Sequence, residues 1–309
     1  MKKYSNLFIV MFTFGILILI LLNKSLVSST VIYSFYVWFN TLVPSMMPMY
    51  IIADILINYN FARYIPKGIV KFISKLFNIS NNATLILLLS LVSGFPLNAM
   101  NIITSYDSNL ISKEEAEHLL LFNHFPNPLF VLNTVGIMYL NNNFYGMIIL
   151  ICTILSNVIL GILVRKRNTL TNINFISNCD KSQTFTGIFS NSIRKCINSL
   201  LMISITVCLF LILSTLIISI FDLKGYLSLG VKGILEMTMA LKEVSGMDIS
   251  DLMKVMLSSG IISFGGLSIH MQVISILDEK IRYRNYFVGR LCQVVLSCFI
   301  ACILYFLIH

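Results

Sequence analysis

Asn98, Asn101 and Ser105 recur at i, i+3 and i+7, and Ser268, Gln272 and Ser275 at i, i+4 and i+7. Either spacing puts three polar groups on one face of a helix. Each set follows a helix-breaking sequence, Ser93-Gly94-Phe95-Pro96 in one case and Ser263-Phe264-Gly265-Gly266-Leu267 in the other. A third break, Asn123-His124-Phe125-Pro126-Asn127-Pro128, carries its own amides and imidazole, and Glu236 and Lys242 place opposite charges in a moderately apolar stretch. These groups suit reversible binding of a solute by hydrogen bonds and charge. The candidate binding residues are Ser93, Pro96, Asn98, Asn101, Asn123, Asn127, Glu236, Lys242, Ser263, Ser268, His270 and Gln272.

Each group has a structural alternative. Asn and Ser can bond across helices as packing contacts, contributing about 0.6–2 kcal/mol. His124 and His270 can be satisfied core histidines, and residues 226–246 can lie flat at an interface with their charges in water. Lys232 and Glu236, at i and i+4, can pair with each other. An enzyme is not expected. The chain has no HExxH, GxSxG, CxxC or P-loop, and its carboxylates in apolar surroundings stand singly. Seven Cys show no metal spacing, and most sit in apolar runs where a free thiol is a small hydrophobe, so neither disulfide, metal nor cofactor is expected.

The elements that must position these residues are membrane helices. The chain is 57% hydrophobic and 11% charged, with mean hydropathy +0.87, against about 25% charged for a soluble domain. A polytopic all-α membrane protein follows, with the lipid bilayer as its first partner. The net charge of +9 does not point to nucleic acid, because basic residues cluster in short loops between apolar runs. Lys2 and Lys3 precede a first apolar run that resembles a signal peptide, but its length and the absence of an Ala-x-Ala-like site favour an uncleaved helix over residues 1–30 with a cytoplasmic N-terminus.

A second run, Val31 to Ile57, is expected to bend near Pro44 and Pro48. Arg63, Lys67, Lys71 and Lys75 alternate with apolar residues, which predicts an interfacial amphipathic helix. The 31 residues from Leu76 to Tyr106 contain no Asp, Glu, Lys or Arg, yet Gly94 and Pro96 interrupt them. Ser112-Lys113-Glu114-Glu115 reads as a capping box, with Glu115 reaching back to the start of its own helix. Plain spans are predicted over 144–164, 196–221 and 286–308, and residues 166–195 form a polar cytoplasmic linker.

Charge distribution sets the topology. The basic loops at 2–3, 63–75, 165–195 and 280–284 fall on one side only if 84–106 is a re-entrant hairpin turning at Gly94-Phe95-Pro96. Each half then reads span, hairpin, broken helix, span, from opposite sides of the membrane. Repeats of this kind, here 31–165 and 196–309, are common among secondary transporters. Aligning Gly94 with Gly265 pairs Met100 with Met271 and Asn101 with Gln272, whereas the element order pairs Gly94 with the other hairpin.

Ser93-Gly94-Phe95-Pro96-Leu97-Asn98-Ala99, Ile111-Ser112-Lys113-Glu114-Glu115-Ala116-Glu117 and Asn123-His124-Phe125-Pro126-Asn127-Pro128-Leu129-Phe130 resemble the YlbJ-type (SpoVV) sporulation integral membrane proteins of the Gate, or nucleoside-recognition, superfamily. Leu235-Glu236-Met237-Thr238, Ser263 to Gln272, and Gly289-Arg290 continue the likeness, which covers about residues 31–305. The resemblance implies movement of dipicolinate, a small anionic solute, across the outer forespore membrane toward the developing spore. Alternatives are a nucleoside or metal-ion permease, or a non-transporting membrane assembly factor for spore maturation. Homo-oligomerisation stays open.

Overall fold

A computed structural model of the chain describes residues 2–59, 61–165 and 184–308. The described residues are helical, without strands, and five helices are long and apolar enough to cross a membrane. The protein is an all-α, multi-pass integral membrane protein.

Helix α1 is Lys2–Leu22, and the 35-residue α2 is Lys24–Asn58. The break between them falls at Asn23, so α2 runs straight through residues 30 and 31, where two separate elements were expected. Within α2 the turn Trp38–Leu42 is π-helical, and Val43 N–H donates to the Trp38 carbonyl five residues back. Pro44 follows immediately. A proline cannot donate to the carbonyl four residues behind it, and widening the preceding turn accommodates that loss.

Helix α3, Lys67–Phe77, meets α4, Asn81–Ser93, at 98°. Its Lys67, Lys71 and Lys75 are exposed while Val70, Ser74 and Phe77 are buried, the two-faced arrangement of an interfacial helix. Helix α5, Leu97–Asp107, runs back alongside α4. Asn82 Nδ2 donates to the Leu110 carbonyl at 2.7 Å, so the base of this pair is closed and its tip is Gly94-Phe95-Pro96. Its arms of 13 and 11 residues are roughly 20 and 16 Å long, too short for a hydrocarbon core of about 30 Å. The pair is a hairpin that returns to the side it entered from.

Helix α6, Lys113–Leu119, is capped by Ser112, whose hydroxyl accepts from Glu115 N–H at 3.2 Å. The other half of the expected capping box does not form. Glu115 Oε1 accepts instead from Ser80 N–H at 2.6 Å, tying α6 to the start of α4. The chain is then irregular from Leu120 to Asn127 and resumes in α7, Phe130–Tyr139, a π-helix. Helix α8 is Asn143–Leu163.

The second half repeats this order. Helix α9, Phe185–Ile220, is a 36-residue span that starts eleven residues earlier than expected, because Thr184 caps it and Asp54 of α2 binds its first turns. Residues 166–183 of the expected linker lie outside the described residues. Helices α10, Tyr226–Leu235, and α11, Met237–Gly246, form the second hairpin, with extended Glu236 at the tip. Lys232 pairs with Glu243 across the hairpin at 2.6 Å and not with Glu236, which the tip turns inward. Helix α12, Asp251–Phe264, breaks at Gly265 (φ 86°) and Gly266 (φ 74°) and resumes as α13, Gly266–Leu277. Helix α14 is Arg284–Ile308.

Contacts between elements show that the halves are inverted. Lys280 and Arg282, between α13 and α14, reach Asp107 at the base of the first hairpin and Glu117 of the following α6. Tyr145, at the start of α8, donates to Asp251 at the start of α12 at 2.7 Å. The first hairpin therefore enters from the end of the molecule that carries the 278–285 loop, and the second from the end that carries residues 141–145. The Gly94–Gly265 alignment is overturned: Gly94 is a hairpin tip and Gly265 a broken-helix break, so the two are not equivalent.

Candidate functional site

Each hairpin tip rests on the break of its own half, and in each case a glycine permits the approach. A Cβ on Gly94 (φ 75°) would stand 2.5 Å from Asn127 N in the first break. A Cβ on Gly266 would stand 3.1 Å from Met237 N and 3.2 Å from Glu236 Cα at the second tip. The last helix meets the first break in the same way, since a Cβ on Gly289 would collide with the Leu121 carbonyl and crowd His124 Nε2.

Side chains repair the backbone where helices stop. Asn98 Nδ2 donates to the Phe125 carbonyl at 2.9 Å, and its Oδ1 accepts from Ser93 Oγ at 3.0 Å, locking the first tip to the first break. Asn123 Nδ2 donates to Ser90 Oγ at 2.9 Å, and Asn127 Oδ1 caps the restarting helix by accepting from Phe130 N–H at 3.1 Å. In the second half, Glu236 is 1% exposed and caps α11, its Oε2 accepting from Thr238 N–H at 2.8 Å and Met239 N–H at 3.1 Å. His270 Nε2 lies 3.0 Å from the Phe264 carbonyl, so Nε2 carries the proton and Nδ1 accepts from the Tyr283 hydroxyl. Ser263 Oγ donates to Ser297 Oγ at 2.8 Å.

Between these elements lies a small cavity of about 20 Å³, room for one or two waters. Phe95 and Pro96 of the first tip, Glu236 and Thr238 of the second, and Gln272 of α13 line it, with apolar walls from α2 and α9. Gln272 Nε2 donates to Thr206 Oγ1 of α9 at 2.6 Å. Several polar groups around the breaks are buried without a hydrogen-bond partner: Asn101 Nδ2, Asn123 Oδ1, Asn127 Nδ2 and Ser268 Oγ.

Of the residues predicted from the sequence, Pro96, Glu236 and Gln272 line the cavity, while Ser93, Asn98, Asn123, Asn127, Ser263 and His270 hold the tips and breaks around it. Lys242 is not among them. It is exposed on α11, donating to the Tyr33 hydroxyl at 3.0 Å and lying 4.8 Å from that ring, because the helix turns its Ala240 and Leu241 inward instead. Ser275, the third member of the second polar face, is exposed as well.

The positive charge in the interior belongs to Arg290, which was not among the predicted site residues. It is 0% exposed. Nε donates to the Tyr286 hydroxyl at 3.0 Å and Nη1 to the Ser263 carbonyl at 2.9 Å, at the C-terminal end of α12 where a cation suits the helix dipole. Phe95 and Tyr286 present their rings to the guanidinium at 4.6 and 5.2 Å. Nη2 has no partner, and among the described residues no carboxylate lies within 4.0 Å. A buried charge without a counter-ion is strongly unfavourable unless hydrogen bonds or rings take the counter-ion's place. The signal for it was present: a single Arg inside a predicted span is expensive at membrane depth and is a functional hypothesis by default.

No protein-family model matches the chain. It is similar to "Sporulation integral membrane protein YlbJ" of Bacillus subtilis (strain 168), at 27% identity over 83% of this chain and 72% of that protein. In fold it is similar to a substituted form of CNTnw in an outward-facing state, with a TM-score of 0.54, 12% identity, and coverage of 98% of this chain and 86% of that one. The overall fold is thus shared with a solved structure, and the sequence relationship runs to a sporulation integral membrane protein.

Proposed function

We propose that this chain is a membrane transporter of a small anionic solute, with dipicolinate moved into the developing spore as the first candidate. The observation that carries the reading is the meeting of two inverted hairpin tips and the second broken helix around one small cavity, with the first break packed directly behind the first tip. Breaking a helix inside a membrane exposes backbone groups that must be re-satisfied, and irregular backbone persists at that depth only where protein or a wet cavity surrounds it. A chain that does this four times and leaves buried donors unpaired around those breaks, Asn101 Nδ2, Asn127 Nδ2 and Ser268 Oγ among them, is organised for a solute rather than for packing. The sporulation relative supports the biological setting, and membership of the Gate superfamily fits the element order over two repeats, 31–165 and 196–309. With its lysine-rich end placed in the mother-cell cytoplasm by the positive-inside rule, the site would face that compartment in one state and the forespore side in the other.

The cavity as it stands is too small for an aromatic dicarboxylate, so the structure corresponds to a closed state in this reading. Purified protein in liposomes should take up dipicolinate, and Glu236→Ala and Gln272→Ala should each lower the initial rate at least tenfold at unchanged protein level. Uptake of uridine or ferrous iron in place of dipicolinate would reassign the substrate. Absence of all uptake, with normal dipicolinate in spores carrying Glu236→Ala as the sole copy, would replace the transporter by an assembly factor.

A further inference from the structure

We infer that Arg290 is the carboxylate-recognising residue of this chain and that Phe95 is the cover over it, displaced when solute binds; the inference rests on the transport reading above. Three observations meet here. Arg290 is wholly buried yet has no carboxylate partner within 4.0 Å among the described residues. One of its terminal nitrogens, Nη2, has no hydrogen-bond partner, and it faces Gly265, where a Cβ would stand only 3.3 Å away. Phe95, at the tip of the first hairpin, belongs both to the cavity wall and to the face of the guanidinium, 4.6 Å from its centre.

A purely structural guanidinium at the end of α12 would explain the bond to the Ser263 carbonyl. It would not explain the vacant Nη2 or the choice of an arginine where a neutral donor would cap the same carbonyl without burying a charge. Arginine's planar fork matches a carboxylate bidentately. The aromatic ring of Phe95 substitutes for that anion in the closed state, since a ring face attracts a cation but far less strongly than a carboxylate does when both are desolvated. Movement of the hairpin tip would take the ring off the guanidinium and join the arginine to the cavity. A planar aromatic acid could then replace both the ring and the missing charge. Asn127 Nδ2, also unpartnered and beside Gly94 at the same tip, would gain a partner by the same movement.

The test measures binding by titration calorimetry on full-length protein in detergent, using dipicolinate and its uncharged diamide. Wild type should prefer the dicarboxylate by about 10–100-fold, the range of a charge-assisted hydrogen bond. Arg290→Gln should reduce that preference to under threefold, and Arg290→Lys, which keeps the charge and loses the fork, should fall between. The preference is a ratio within one variant, so partial loss of folded protein does not move it. Phe95→Ala should tighten dipicolinate binding at least threefold, because no cover has to be displaced. If Arg290→Gln does not fold, Phe95→Ala decides: weaker or unchanged binding overturns the inference. Dipicolinate transport by wild type together with an unchanged preference in Arg290→Gln overturns the inference and leaves the transport reading standing. No binding or transport of dipicolinate by wild type removes both.

Discussion

The guanidinium of Arg290 lies 4.6 Å from the centre of the Phe95 ring. One residue belongs to the last helix and the other to the tip of the first hairpin, so this contact joins the two inverted halves at their centre. The same last helix meets the first break through Gly289, and His124 of that break stacks edge-on against Tyr286 at 4.7 Å. Each half is therefore completed by the other, and substitutions at the junction should report on both.

The glycines at the junction admit no side chain. Gly94→Ala adds a methyl 2.5 Å from Asn127 N at a left-handed φ of 75°, and Gly289→Ala adds one against the Leu121 carbonyl. Each should destabilise the protein by about 1–3 kcal/mol, the usual cost of overpacking. Gly68→Ala, where nothing lies within 4 Å, should be neutral or stabilising by up to about 1 kcal/mol. Thermal unfolding of the three variants in one detergent would show the difference as lowered midpoints for the first two alone.

Asn127 separates a stabilising role from a binding one. Its Oδ1 caps the restarting helix and its Nδ2 is free. Asn127→Ala should lose about 1 kcal/mol of stability with the cap. Asn127→Ser keeps a capping oxygen and should retain most of the wild-type midpoint, while loss of the free amide should lower dipicolinate uptake at least tenfold. Equal uptake by wild type and Asn127→Ser would show that the free amide takes no part.

Asn98→Ala should weaken the first tip. The change leaves the Phe125 carbonyl without its partner in a buried position and the Ser93 hydroxyl with the Leu89 carbonyl alone, at a cost of about 1–3 kcal/mol. Hydrogen exchange should rise at residues 93–98 and 123–127 together, since one side chain holds both segments. A rise confined to one segment would contradict that coupling.

Asp54 clamps α2 to α9 through Ser192 at 2.7 Å and Lys195 at 3.0 Å. The Lys195 side chain is half exposed, so solvent screens the pair and a double-mutant cycle between the two should give no more than about 1 kcal/mol. Asp54→Ala should cost more than Lys195→Ala, because it also strands the buried Ser192 hydroxyl.

The Lys280 ammonium is held above the ordinary lysine range by its hydrogen bond to Asp107. A raised folded-state value means that the contact between the 278–283 loop and the first hairpin base is fully present below the ordinary lysine range. It is lost only as pH climbs through the raised value. Spin labels on this loop and on residue 109 should keep a constant separation from about pH 6 up to the ordinary lysine value of 10.5 and part only above it, and Lys280→Gln should abolish the dependence.

Much of this architecture follows from charge and from helix breakers. Long uncharged runs require spans, and the placement of Lys and Arg forces 84–106 to fold back, because no other path puts the basic loops on one side. Gly94-Phe95-Pro96 and Gly265-Gly266 mark their breaks by backbone chemistry alone. The sequence therefore determined the all-α membrane class, the order of hairpins and broken helices, and most polar groups around the breaks. Tertiary structure decided which groups face the centre. Lys242 and Glu236 looked alike in a mildly apolar stretch of two ten-residue helices, too short for periodicity to set a face, and packing sent one outward to Tyr33 and the other into the cavity wall. Arg290 looked like one charge near the end of a span. Only the approach of Ser263 and Phe95 from two other elements, beside Tyr286 on its own helix, shows that it is buried, solvated by protein dipoles and rings, and left with one donor unused.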